Sequence, residues 1–568
     1  MKYFLFFLSF SFLFGNEGDS AQKIRYHFIV GDYASAENAC KEAIMVDPDS
    51  KALKNLFVSS LIENGKEEDA LQLLKELPHD EFREALLESL CWKIIKQSDA
   101  LSQPEVKIAS LYSASRTQDA RAAEMVKIEL KSSNALVRAT AAKIASEYRD
   151  AAIIQALVDQ IEKEEVWYVR LEMIRALGRT GGGNAEHLLN KLLSSKRITL
   201  EEKGSLIGSL ATLQESINVE HFRELIESNR ASLRHFACQI ALHLDLRERA
   251  TLLFPLLKDP SPEVRMAALT ALYLLGFQTL DSLRMEKLTE MMEDSSPSIA
   301  ITAAWAFSSL APERSKELLL KWIFSSDQAS RRLAAQALGR LGRRGKELSE
   351  MVMRVTTDPF VQANIALGAI GQGGSYELES ERLYHFLTLK EEKLRWDETQ
   401  SPLFQLIAPA TSSVRSDIMR NSGMEDCEVR LEILAILTTL NHPKAESGIR
   451  SFLKHHRLGI PFLASNILLR EGGEKAQGIL TSLLQDEHPL IRIQAALALA
   501  LNGQDPQAFK ILEEEYPRAN RELKVHILGA MGYVGGRASI PFLTQQLEEP
   551  HQILKMVAAS ALIQCLYH

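Results

Sequence analysis

The chain has 568 residues, of which 46% are apolar, 25% charged and 7% aromatic, with 29 Gly, 18 Pro, 5 Cys and a formal charge of −8. This composition excludes a disordered chain, a collagen-like chain and a disulfide scaffold. An isoelectric point near 6.0 argues against a general nucleic-acid binder, which needs a basic surface. Ordinary domain sizes would divide such a length into roughly three to five globular domains, unless the chain is one repetitive array.

At the start, Lys2 precedes an uncharged apolar run from Tyr3 to Phe14, and Gly15 gives way to Glu17 and Asp19. That is the layout of a secretory signal peptide over residues 1–15. The run is shorter than the ~20 residues that span a bilayer. Leu13 occupies a position where cleavage favours a small residue, so an uncleaved, anchored form stays open as a second reading. The expectation is an exported protein, periplasmic or envelope-associated or secreted, with membrane contact only if the N-terminal segment is uncleaved. Cys40, Cys91, Cys238, Cys427 and Cys565 are odd in number and widely spaced. Disulfide frameworks cluster and pair, so these read as small buried side chains.

Next, Gly31-Asp32-Tyr33-Ala34-Ser35-Ala36 is echoed by Asn64-Gly65-Lys66-Glu67-Glu68-Asp69-Ala70, with the same offset separating Gly31 from Gly65 and Ala36 from Ala70. Over residues 20–80 this resembles the tetratricopeptide repeat, a helix-turn-helix with a period of about 34 residues. Residues 81–122 are helical in pattern without a clear copy and read as a transition.

From about residue 123 a second repeat takes over, clearest in DPSPEVRMAALTALYLLG at 259–276. A basic residue marks it at Arg138, Arg170, Arg234, Arg265, Arg331, Arg430, Arg492, Lys524 and Lys555. Adjacent markers, such as Arg138 and Arg170, Arg234 and Arg265, or Lys524 and Lys555, keep a nearly constant step, and the longer gaps are near multiples of it. Eleven residues beyond the marker stand Gly181, Gly276, Gly342, Gly503 and Gly535. Asp, Ser and Pro before the marker favour a helix start, and Gly after it suits the left-handed turn that stops a helix. Between them Ala268, Ala271, Leu272 and Leu275 fall on one face, as do Leu253, Leu256 and Leu257 in the preceding helix. Stacked neighbours can bury such faces where a lone pair of helices cannot. These residues resemble HEAT repeats, of the short kind found in phycobilisome-lyase-like bacterial proteins, over 123–568. The resemblance implies an all-α fold, an α-solenoid (alpha-alpha superhelix) of stacked helix pairs, and a structural contact from the recurring Arg to an acidic turn residue of the next repeat. Register breaks once: a marker-equivalent placed at Phe360 is followed by Arg430, and 372–402 reads as an irregular insertion. On a repeat scaffold an insertion is either a binding loop or a longer surface turn.

Catalytic signatures are missing. There is no G-x-S-x-G, G-x-x-x-x-G-K-[ST], H-E-x-x-H or C-x-x-C. HEAT-repeat hydroxylases with a di-iron centre use repeated His-Glu pairs, and here no His precedes a Glu. Adjacent His455 and His456 point to different helix faces, and nothing makes His221, His235 and His243 converge on a metal. No catalytic, cofactor-binding or metal residue is expected, and no cofactor. The expected function is a non-enzymatic protein-binding scaffold or adaptor of the bacterial envelope, with the curved face of the solenoid taking a protein or peptide partner and no nucleic acid. Fold analogy alone adds an alternative, a lyase-like or chaperone-like protein that attaches or releases a small ligand. The fifth position after each marker should face away from the packed stripe, which makes Arg175, Gln239, Thr270, Trp305, Gln336 and Asn466 candidate protein-binding residues. Trp305 reads either as a partner anchor or as packing against a neighbouring helix; Trp167, Tyr168 and Trp396 are weaker candidates of the same kind.

Overall fold

The computed structural model describes residues 19–96, 103–193, 199–213, 219–276, 282–372, 377–389, 393–397, 399–410, 422–455, 465–502, 505–534 and 536–567. The signal-peptide reading, on residues 1–15, lies outside them. So do His456 and the side chains of His221, His455 and Asn466. The fold is an all-α solenoid of helix pairs, with one two-stranded sheet among the described residues. No helix among them is long and apolar enough to cross a membrane. The chain forms two compact units, Met1–Ile144 with Glu515–His568, and Ala145–Glu514.

The first unit begins with the helices Asp19–Ile29, Tyr33–Val46, Lys51–Glu63, Glu67–Glu76 and Glu81–Lys96. Gly31 and Gly65, one repeat apart, both take φ of 74°, the left-handed turn that needs no Cβ. Asp32 then caps the next helix by accepting from the Ser35 N–H at 3.1 Å. Buried Glu37 joins the two copies, accepting from Lys41 Nζ (2.7 Å), Lys66 Nζ (2.6 Å) and Asn64 Nδ2 (2.8 Å). The last helix, Gln552–Tyr567, packs on Glu81–Lys96 and Pro104–Arg116, and its Ser560 Oγ donates to the Ser113 carbonyl at 2.6 Å. The unit is therefore built from both ends of the sequence.

In the second unit the sequence markers become a ladder of contacts. Arg265 donates from Nε and Nη2 to both carboxylate oxygens of Asp294 (2.7 and 2.9 Å) and from Nη1 to the Asp259 carbonyl (2.8 Å). Arg234 does the same to Asp259 (2.5 and 2.9 Å) and to the Ser228 carbonyl. Arg170 reaches Glu202 (2.8 Å) and Arg331 reaches Asp358 (3.3 Å). Each of these arginines ties its own turn to an acidic residue at or near the start of a second helix in the following repeat. Arg492 bonds the carbonyls of its own turn at Asp486 and Glu487, and Arg430 pairs with Asp426 of its own helix and with the Leu387 carbonyl. Pro262, Pro297 and Pro359 open their helices. Gly181, Gly276 and Gly342 take positive φ at the far ends; Gly503 and Gly535 lie outside the described residues. The predicted stripe is buried: Ala268, Ala271, Leu272 and Leu275 in one helix, Leu253, Leu256 and Leu257 in the one before.

Two details of register differ from the sequence reading. Gln362, not Phe360, is the marker: its Nε2 donates to the carbonyl six residues back, Thr356, as Arg331 does to Ser325. Gln362 follows Arg331 at the same step that separates Arg265 from Arg234, so the repeat is regular there. Nor is 372–402 irregular throughout. Helix Glu377–Thr388 is the first of a normal pair, whose second is Ser422–Thr439. The extra chain lies between them and contains strands β1 (Leu394–Asp397) and β2 (Leu406–Pro409), antiparallel with Trp396 opposite Ile407.

Candidate functional site

The second helices of successive pairs, Ala231–His243, Pro262–Leu275, Pro297–Ala306, Gln328–Gly339 and Pro359–Ile370, present a common face, and the inserted segment lies on it. Asn364, fully buried, reads the main chain of β2: its Nδ2 donates to the Ile407 carbonyl at 2.9 Å and its Oδ1 accepts from the Ile407 N–H at 3.0 Å. A third bond, Nδ2 to the Phe360 carbonyl (2.8 Å), fixes that amide on its own helix. Arg340 donates to the Leu403 carbonyl at 2.8 Å and lies over the Phe404 ring. Burial holds the Arg340 guanidinium below its ordinary pKa. Trp305 packs edge-on against Phe404, with centroids 4.9 Å apart, and against Tyr273 at 5.0 Å. Strand β2 and the turn at Leu403 and Phe404 before it are thus held by carboxamide, guanidinium and indole groups on or just after three helices.

Beside it the face continues into a cavity of about 390 Å³. Helix 231–243 contributes His235, Cys238, Gln239 and Leu242 to its walls. Helix 262–275 contributes Glu263, Met266, Ala267 and Thr270, and helix 297–306 with its preceding turn contributes Ser296, Ser298 and Ile299. Thr399, Gln400 and Pro402 of the inserted segment complete the lining. Thr270, 5% exposed, has a buried hydroxyl without a hydrogen-bond partner, and the Gln239 Oε1 is likewise buried and unpartnered. Burial holds the His235 imidazole below its ordinary pKa against the pull of Glu263, so the ring is neutral at pH 7. Burial also pushes the Cys238 thiol up to about 12, which keeps it protonated and a poor nucleophile. Apart from the Glu263 carboxylate, the chemistry on offer is hydrogen bonding to neutral groups.

The predicted contact row needs correction. Arg175 is exposed but paired with Glu172 at 2.6 Å. Thr270 and Gln336 are buried, Gln336 to 1%, so neither stands on an open surface. Trp305 is half-buried, and the partner it anchors is the chain's own inserted segment. Gln239 and Thr270 are brought together in the cavity, Asn466 falls outside the described side chains, and the structure does not join Arg175 to the rest. The physical reason is the insertion, which encloses the Gln239 and Thr270 cavity and covers the face beyond it at Trp305. Asn364 and Arg340, which make the main-chain contacts, were missed because they lie two residues and nine residues beyond their markers, off the chosen row. Trp167 is exposed with its edge against Tyr168, and Trp396 sits half-buried on β1. Among the described residues no group of His, Cys, Asp and Glu could hold a metal ion, and all five cysteines are free and buried. A second cavity, of about 530 Å³ in the first unit, carries the pairs Lys75–Glu548 and Arg537–Glu84, and its Arg83 bonds the Leu74 carbonyl and His79.

The geometry defines a repeat solenoid with a groove along its second helices. A tetratricopeptide-repeat family model matches residues 28–93, and HEAT-repeat models match 251–278 and 285–370. The chain carries HEAT repeats behind an N-terminal tetratricopeptide segment. No curated protein matches it. Among solved structures it is similar to the complex of CpcE and CpcF of phycocyanin lyase from Nostoc sp. PCC7120, at 18% identity over 46% of this chain and 92% of that one, with a TM-score of 0.25. Kap121p bound to Ste12p is similar at 13% identity over 96% and 69%, with a TM-score of 0.36. The myosin chaperone UNC-45 from C. elegans, in complex with an Hsp90 peptide, is similar at 11% identity over 96% and 81%, with a TM-score of 0.30.

Proposed function

We propose that the protein is a non-enzymatic scaffold of the bacterial envelope that binds a polypeptide partner along the second-helix face of its HEAT array. The observation that carries this is the bidentate grip of Asn364 on the Ile407 main chain. The face recognises extended polypeptide in this very chain, and the recognition is through backbone groups that any partner segment also has. Apart from Glu263 the groups in the neighbouring cavity are neutral, and its protonated thiol suits binding rather than nucleophilic chemistry. Placement in the envelope rests on the apolar run and its flanks at 1–15.

The test is a photo-crosslinking side chain placed in living cells at Met266, on the groove, or at Phe324, which is exposed at the end of a first helix. A discrete polypeptide adduct from Met266 and none from Phe324 is expected. Equal labelling from both sites, or none from either, would sink the reading. Cell fractionation tests the placement, which fails if the protein is found unprocessed in the cytoplasm.

A further inference from the structure

We propose that the cavity of about 530 Å³ in the first unit binds a single carboxylate carried on an apolar body, with Arg83 as its ionic partner. The site belongs to the first unit alone and does not rest on the polypeptide-binding reading of the second.

The first observation is a buried guanidinium that meets no carboxylate. Arg83 is 7% exposed. Its Nε donates to the Leu74 carbonyl at 2.8 Å and its Nη1 to His79 Nδ1 at 2.9 Å, and it forms no ion pair among the described residues. Asp80, at the start of the same helix, accepts the Arg83 backbone N–H at 3.0 Å and pairs with Lys51. Arg83 Nη2 makes no hydrogen bond among the described residues and is not sealed from solvent. Elsewhere in this chain largely buried arginines are completed differently. Arg234 and Arg265 each combine a turn carbonyl with both oxygens of one carboxylate. Arg83 has the carbonyl and meets no carboxylate. A charge withdrawn from water without a counter-ion is costly, and a carboxylate is the acceptor to which a guanidinium bonds most strongly.

The second observation is the charge of the wall. It carries three cations, Lys75, Arg83 and Arg537, against two carboxylates, Glu84 and Glu548. Both carboxylates are engaged, Glu548 by Lys75 and Glu84 by Arg537, in pairs that reach solvent and are screened by it. The cation left over is the buried one. A guanidinium can only donate, so His79 accepts through Nδ1 and holds its proton on Nε2, neutral. One surplus charge matches a monoanion, whereas a phosphate dianion would bring a second charge without a counterpart. The third observation is the remaining lining. Half-buried Ile540 and exposed Pro541 give apolar wall with accessible surface, and Thr544 and Gln545 add neutral groups. The volume is within the range of about 300–1,000 Å³ that holds small ligands. Such a carboxylate comes either from a free organic acid or from the end of a polypeptide.

The experiment is calorimetric titration of the full chain with hexanoate, 1-hexanol, hexylamine and inorganic phosphate, and with acetyl-dileucine bearing a free or an amidated terminus. Saturable binding of a carboxylate is expected, with none of the alcohol, the amine or the amide. Hexanoate alone points to a free acid as the source, and acetyl-dileucine alone to a chain terminus; either supports the site. Arg83→Gln keeps a donor for the Leu74 carbonyl and removes the charge. It should weaken binding at least about ten-fold, the loss of one charge-assisted hydrogen bond. The bound carboxylate should raise the melting temperature of the wild type and not of Arg83→Gln. Pro541→Trp, on the exposed rim, narrows the cavity with Arg83 intact. It should abolish binding with the helical circular dichroism unchanged, and it decides the matter if Arg83→Gln does not fold. Phosphate bound in preference, no carboxylate bound, or carboxylate binding that survives both substitutions overturns the proposal. A lower melting temperature in Arg83→Gln with affinity unchanged would make Arg83 a structural cap and overturn it equally.

Discussion

A charged side chain contributes here according to what it ties together. Arg265 and Asp294 are 11% and 7% exposed and meet through two hydrogen bonds across a repeat junction. Arg175 and Glu172 are three residues apart on one helix, with Arg175 53% exposed. Charge-assisted hydrogen bonds in partly buried sites contribute about 1.5–3 kcal/mol, whereas exposed pairs contribute about 0–1 kcal/mol. Arg265→Met should therefore destabilise the second unit by about 2–3 kcal/mol, and Arg175→Met by less than about 0.5 kcal/mol, read from urea denaturation of the two variants side by side. Glu37 supplies the pH dependence of the first unit. Burial works against its charge, but hydrogen bonds from Lys41, Lys66 and Asn64 prevail and hold its pKa at about 2. A carboxylate held below its unfolded value stabilises the fold above that value, and the contribution is lost as pH falls through the folded pKa. Glu37→Gln should thus lower the melting temperature at pH 7, with the gap from wild type closing between pH 4.5 and about 2. A gap that stays constant over that range would show that the ion pairs contribute nothing.

At the scale of elements, the inserted segment and the helices beneath it form one structure. The helices 328–339 and 359–370 come so close that a Cβ on Gly339 would stand 2.2 Å from the Ile365 carbonyl oxygen. An exposed helical Gly→Ala change gains about 0.5–1 kcal/mol. Gly339→Ala should instead cost about 1–3 kcal/mol through forced separation of the pair, measurable as a lower melting temperature. Asn364→Leu removes both partners of the buried Ile407 backbone groups. At about 1–3 kcal/mol for each unsatisfied group, it should cost about 2–4 kcal/mol and make the chain between 389 and 421 the first site of limited proteolysis. Protection unchanged from wild type would mean that β2 is held by the aromatic contacts alone. The repeat chemistry behind these helices was legible in the sequence because it is local: Pro at the first turn, an acidic cap, a basic marker and a terminal Gly recur within one helix. The insertion was legible as a break in register but was placed too early. Gly371 to Gly374 look like a loop, whereas four-residue strands such as Leu394–Asp397 give no periodic signal. The site was legible in part: Gln239 and Thr270 sit on the predicted row, but their enclosure depends on Thr399 to Pro402, which no helical spacing could bring there.

For the molecule as a whole, the organising fact is that the first unit draws on both chain ends. Ser113 and Ser560 are 447 residues apart in sequence and joined by one hydrogen bond. Lys555 lies 3.8 Å from Glu67, both largely buried. Nothing in a local pattern announces such a contact, since the marker Lys555 reads as one more repeat at the end of an array. The consequence concerns folding. Leu87, Leu90, Ile94 and Ile95 of helix 81–96 are buried in a unit whose last helix, Gln552–Tyr567, packs directly on that helix. A solenoid end normally presents a polar cap, whereas here each end supplies apolar surface to the other. A chain cut after residue 514 should therefore lose the structure of helices 81–96 and 104–116 while the repeats of the second unit keep theirs. Hydrogen exchange would show the loss as rapid labelling of helices 81–96 and 104–116 alone. Fragment 19–144 should be poorly soluble when made alone and recovered as a complex when co-produced with 515–568. If it folds by itself with full helical signal, the packing of the C-terminal helix is an accessory to this unit and the unit's closure is no condition of its stability.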